Sequence, residues 1–96
     1  MTDVSVRDNP AEHRFEVHVD GRLAGFSAYY ISDGVITFTH TEVDDDVEGQ
    51  GIGSTLVRTS LDQVRAAGVL RVRPLCPFVR AWIDRHPAYQ DLTRAR

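Results

Sequence analysis

EGQGIGSTLV, residues 48–57, sets glycine at every second position and then runs directly into an apolar stripe. Lacking a Cβ, Gly49, Gly51 and Gly53 are free to adopt left-handed conformations and to let a ligand approach the backbone. Beyond them Ile52, Leu56, Val57, Leu61 and Val64 recur at the period of one helix face, with Gly68 placed as the C-terminal stop. A helix opening on such a loop presents unpaired N–H groups and the positive end of its dipole, a combination that suits phosphate or pyrophosphate. A tight strand-to-helix turn without a ligand is the plain structural alternative.

Two other glycine loops do not fit. Walker A needs a lysine followed by serine or threonine, and all 11 of the Lys+Arg residues here are arginine. A dinucleotide fingerprint opens a βαβ unit near its start, whereas this loop follows several strands.

Upstream, residues 4–7 read as a short strand and 15–19 alternate apolar with polar. Asp20 and Gly21 turn the chain into a strand over 23–31, and Asp33 and Gly34 turn it into another over 35–43. Downstream, 69–73 alternates again and Pro74 ends it. Pro77 suits the first position of a second helix, whose Phe78, Val79, Trp82 and Ile83 form one apolar face. The predicted order β-β-β-β-α-β-α describes a mixed α/β (α+β) domain over residues 1–96, with four strands in an antiparallel meander.

With 96 residues, 42% hydrophobic and 26% charged, the chain has the make-up of one ordinary globular domain. A net charge of −3 without a basic, aromatic-interleaved patch argues against nucleic acid as a partner. The start MTDVSVRDNP has no apolar signal region and no stretch is long enough to cross a bilayer, so a cytoplasmic protein without a membrane partner is expected. Cys76 is the only cysteine, which rules out an internal disulfide and a cysteine metal cage; His13, His18, His40 and His86 are scattered, so no metal site is expected.

The run TEVDDDVEGQGIGSTL, residues 41–56, resembles the acetyl-CoA-binding signature of the GNAT superfamily of N-acetyltransferases, and CPFVRAWIDRHPAY, residues 76–89, is similar to the ending of its short branch of about a hundred residues. The resemblance implies that acetyl-CoA is the co-substrate and that it lies between the fourth and fifth strands. The backbone from Glu48 through Gly49, Gln50, Gly51, Ile52 and Gly53 would hold its pyrophosphate, and the exposed backbone of Glu42 and Val43 would pair with pantetheine. Full-length members place two helices between their first and second strands, helping to wall the acceptor site. Residues 8–14, DNPAEHR, are too short for them, so a protein partner could complete that side.

Three side chains are candidates for catalysis. Unbroken alternation along the fourth strand would put His40 and Glu42 on the same face as Ile36 and Phe38, near the cofactor loop, as a base for an amine. The alternative is a structural histidine and a solvated carboxylate. Cys76, just before Pro77, becomes the N-cap of the second helix; it would protonate the departing thiolate, accept the acetyl group, or simply pack. Two positions depart from the superfamily pattern: Glu48 stands where Gln or Arg is usual, and Trp82 falls near the position of a general-acid tyrosine. Arg80 and Arg85 are candidates for the CoA phosphates, and Asp44, Asp45 and Asp46 for attracting a cationic acceptor. The expected function is acetyl-CoA-dependent acetyl transfer to an unidentified amine. The alternative is a non-catalytic CoA or acyl-CoA-binding or accessory module.

Overall fold

A computed structural model describes residues 3–47 and 49–94. Five strands form one sheet in sequence order: β1 Val4–Asn9, β2 Arg14–Val19, β3 Arg22–Ser32, β4 Val35–Val43 and β5 Arg71–Pro74. The first four are antiparallel and β5 runs parallel to β4. The two meander turns are built by Asp20–Gly21 and Asp33–Gly34, each with positive φ at both residues, the geometry whose twist matches that of the flanking strands. The expected meander is therefore present, with β1 extended to Asn9 and β5 beginning at Arg71.

Helix α1, Ile52–Ala67, carries β4 over to β5 and ends at Gly68 in a left-handed cap. Its stripe of Ile52, Leu56, Val57, Leu61 and Val64 is wholly buried, and burial of each such side chain contributes about 1.5–3 kcal/mol. Helix α2, Pro77–Asp84, starts on Pro77 with Cys76 as N-cap. Val79, Trp82 and Ile83 enter the core, but Phe78 does not: it is 43% exposed. The chain then closes in a 3-10 helix, Pro87–Thr93, pinned by the fully buried Leu92.

Helix α2 and the 3-10 helix lie beside α1. Trp82 Nε1 donates to Ser54 Oγ at 2.8 Å, Tyr89 Oη donates to Asp62 at 2.8 Å, and Arg65 forks onto Asp91 at 2.9 Å. His86 stacks on Trp82 at 3.7 Å and its Nδ1 meets the Trp82 carbonyl, so His86 and Tyr89 fasten the C-terminal turn. All of these elements cover one face of the sheet. Among the described residues nothing covers the other, which carries Arg14, Glu16, His18, Phe26, Tyr30, His40 and Glu42.

Two bulges bend the sheet. Val17 pairs with Gly25 but His18 with Leu23, leaving Ala24 extra in β3. Ala28 pairs with His40 but Tyr29 with Phe38, leaving Thr39 extra in β4.

Candidate active site

The Thr39 bulge decides where the β4 side chains go. An extra residue reverses the alternation, so Thr41 and Val43 continue the core face of Ile36 and Phe38. The expectation that His40 and Glu42 share that face is corrected: they stand on the open face, 60% and 63% exposed, joined by a 3.0 Å hydrogen bond. The His40 ring lies 6.2 Å from that of Phe26, itself under the Arg14 guanidinium. Beside it, burial alone would raise the Glu16 carboxyl, but hydrogen bonds from Asn9 and Arg14 and the charges of Arg14 and His18 hold it below the ordinary carboxylate value.

The same point marks the end of β4–β5 pairing. The parallel register runs only from Val35 with Arg71 to Phe38 with Pro74. Cys76 N–H then donates to the Phe38 carbonyl at 2.8 Å, and β5 has ended. From Thr39 to Val43, the edge of β4 turned toward β5 has no strand partner, while its other edge stays paired to β3. A gap opens in the sheet there.

Cys76 sits at the head of that gap, 3% exposed. Its side chain makes no bond to the first amides of α2. Instead the S–H donates to Thr41 Oγ1 at 3.4 Å, and Thr41 Oγ1 in turn shares a 2.9 Å hydrogen bond with the buried Ser27. Thr41 was not a candidate from sequence, because its orientation depends on the bulge and the bulge on pairing with β3.

At the other end of the gap lies the glycine loop. Gly49 and Gly51 have φ of 84° and 75°, and a Cβ on either would meet nothing within 4 Å. Their glycine is dictated by conformation, not by crowding, and the space over them is open. Gly53 differs from the expectation: it is not left-handed, and its Cβ would lie 2.8 Å from Phe78 Cζ. Gly51 is the N-cap of α1 and no side chain caps the helix, so the first-turn amides of Ile52, Gly53 and Ser54 lack intrahelical partners. The Gln50 amide is removed from the expected set because it donates to the Val47 carbonyl at 3.3 Å. These amides open into a hollow of about 230 Å³ walled by Val43, Val47 and Phe78. Glu48 lies outside the described residues.

Arg80 does not join this hollow. It lines a larger one, about 430 Å³, with Pro74, Asp84, Gln90 and Arg94, on a different side of α2 from Phe78. Of the candidate groups the larger hollow holds only Arg80, whereas the smaller one holds Val43, Gly49, Gly51, Ile52 and Gly53. Of the acidic run, Asp44 and Asp46 are both held by Arg22, at 3.0 and 2.9 Å, which leaves Asp45 without a paired cation among the described residues. No group of three or more His, Cys, Asp or Glu able to hold a metal occurs among those residues, and no helix is long and apolar enough to cross a membrane.

A family model described as GCN5-related N-acetyl-transferase matches residues 14–92. No curated protein sequence matches. Among solved structures, the ribosomal-protein-S18-alanine N-acetyltransferase of Escherichia coli aligns with a TM-score of 0.60 at 19% identity, over 75% of this chain and 64% of that one. The ribosomal-protein-alanine N-acetyltransferase of Brucella melitensis biovar Abortus 2308 gives 0.57 at 22% identity, over 86% and 64%. An acetyltransferase of the GNAT family from Streptococcus pneumoniae gives 0.55 at 15% identity, over 66% and 42%. At these identities the likeness is one of fold, and the chain spans less than two thirds of each of these structures.

Proposed function

Because the chain belongs to the GCN5-related N-acetyl-transferase family, we propose that it binds acetyl-CoA along the β4–β5 gap and passes the acetyl group to an amine. One observation carries the reading: an uncapped helix N-terminus, preceded by two left-handed glycines, opens into a hollow continuous with an unpaired stretch of β4. The free amides of Ile52, Gly53 and Ser54 suit a pyrophosphate. The unpaired backbone of Glu42 and Val43 suits an extended amide-bearing arm, and Phe78 and Val43 give that arm an apolar wall. Bound acetyl-CoA would supply the activated acyl group.

The chain's own groups then divide by face. On the open face the His40–Glu42 pair would take the proton that the amine loses as its nitrogen bonds to the acyl carbon. On the helix face the Cys76 S–H, directed at Thr41, would supply the proton to the sulfur as the C–S bond breaks. In this arrangement His40 acts as base, Glu42 fixes its ring, and Cys76 acts as acid without itself being acylated.

A second reading, a CoA-binding accessory module, has one observation in its favour: the sheet face on which an amine would sit is uncovered. One experiment tests both. Acetyl-CoA at a hundredfold excess over Kd should stabilise the protein by about 2.7 kcal/mol, and Gly51→Val should abolish the effect. The absence of stabilisation in a well-folded sample would refute acetyl-CoA binding. Stabilisation without CoA release, across peptides, polyamines and amino acids, would leave the module.

A further inference from the structure

We infer that the amine acceptor is the amino terminus of an extended acidic peptide, laid along the open face of the sheet; this rests on the acyl-transfer reading above. Helices α1 and α2 block one side of the β4–β5 gap, so an acceptor reaches it from the uncovered side. On that side the charges are unevenly satisfied. Glu16 is held by Asn9 and Arg14 at 3.0 and 2.8 Å, Glu42 by His40, and Asp44 and Asp46 by Arg22. Arg71 and Arg73 form no ion pair with any described residue. They alternate on β5 with the buried Val72, which places both guanidiniums on the open face.

The amine end has its own place. At the end of β4 a hollow of about 480 Å³ is lined by Thr41, Glu42, Val43, Asp44 and Asp45, beside the His40–Glu42 pair. An ammonium group is favoured there before it loses its proton. Arg73 pairs in register with Thr37, and Thr37 lies about 15 Å along β4 from Glu42 at the usual rise per strand residue. An extended peptide covers that distance in roughly four to five residues. Arg71 pairs with Val35, two residues further along β4, and in an extended chain only side chains two apart share a face. The face therefore matches a chain whose amine sits at the Glu42 end and whose acidic side chains, about four and six residues on, meet Arg73 and Arg71. Cationic polyamines lack the second half of this match.

The test is a titration of the whole protein with Ala-Gly-Ser-Gly-Glu-Gly-Glu, Ala-Gly-Ser-Gly-Gln-Gly-Gln and Ala-Gly-Ser-Gly-Arg-Gly-Arg, followed by backbone amide NMR shifts. The acidic peptide should bind roughly fivefold more tightly than the glutamine peptide, the size expected of two exposed ion pairs, with shifts on β4 and β5. The double variant Arg71→Gln, Arg73→Gln should erase that difference. Equal or tighter binding of the arginine peptide, a preference that survives the double variant, or no peptide binding at all would each overturn the proposal. Acetyl-CoA is titrated separately: its failure to bind refutes the transferase reading, whereas its binding with no acidic preference refutes this inference alone.

Discussion

Gly53 shows how a single missing Cβ is used for packing. It stands in the first turn of α1 with ordinary helical backbone, where alanine would normally gain about 1 kcal/mol. Its Cβ would, however, press on the Phe78 ring at 2.8 Å. Gly53→Ala should therefore gain well under that amount, or destabilise, in the natural background, and recover most of it when combined with Phe78→Ala. Urea midpoints of the four proteins measure the coupling; simple additivity would show that the ring gives way without cost. Gly51 belongs to another class. With φ at 75° and open space around it, any L-residue is penalised by roughly 1–2 kcal/mol through conformation alone. The sequence marks both glycines alike; the backbone conformation at Gly51 and the position of Phe78 over Gly53 separate them.

At the scale of elements, the β4 bulge links folding to function. Thr39 is the one residue of β4 without a partner on β3, so deleting it leaves His40 and Glu42 on the open face and Thr41 and Val43 on the core face. The deletion should yield a regular ladder and a protein that still unfolds cooperatively. It should also remove the local bend that carries β4 away from β5. The expected outcome is a folded variant that acetyl-CoA no longer stabilises, checked by thermal melts with and without the ligand. Full stabilisation of the deletion variant would show that the gap does not depend on the bulge. Alternation in the sequence predicts a strand here, but it says nothing of an inserted residue, because a bulge is defined only against the neighbouring strand.

Across the whole molecule, titratable groups bound the pH range of stability. Glu16 is held below its ordinary value by hydrogen bonds and charge despite burial, and Asp91 below its own by the Arg65 hydrogen bond. A depressed carboxyl contributes stability that is present above its unfolded value, near pH 4, and lost as pH falls through the folded one. Tyr29 has the opposite sign. Burial and its 2.6 Å bond to Asp8 raise the phenol well above its ordinary value, so its contribution is full below about pH 10 and lost as pH rises beyond. Urea midpoints against pH should form a plateau with two falling limbs; Glu16→Gln should flatten the acid limb and Tyr29→Phe the alkaline one. Limbs unchanged in both variants would show that neither group couples folding to protons. What the sequence alone determined is whatever short-range chemistry dictates: the Asp-Gly turns, the α1 stripe between its two glycines, Pro77 opening α2, and the motifs that identify the family. Only the tertiary structure decided which face His40, Glu42 and Thr41 occupy, that Phe78 leaves the core to stand over Gly53, that Arg80 turns away from the glycine loop, and that Arg22 neutralises two of the three aspartates. Each of these depends on contacts between residues far apart in the chain, and no local pattern of residues encodes such contacts.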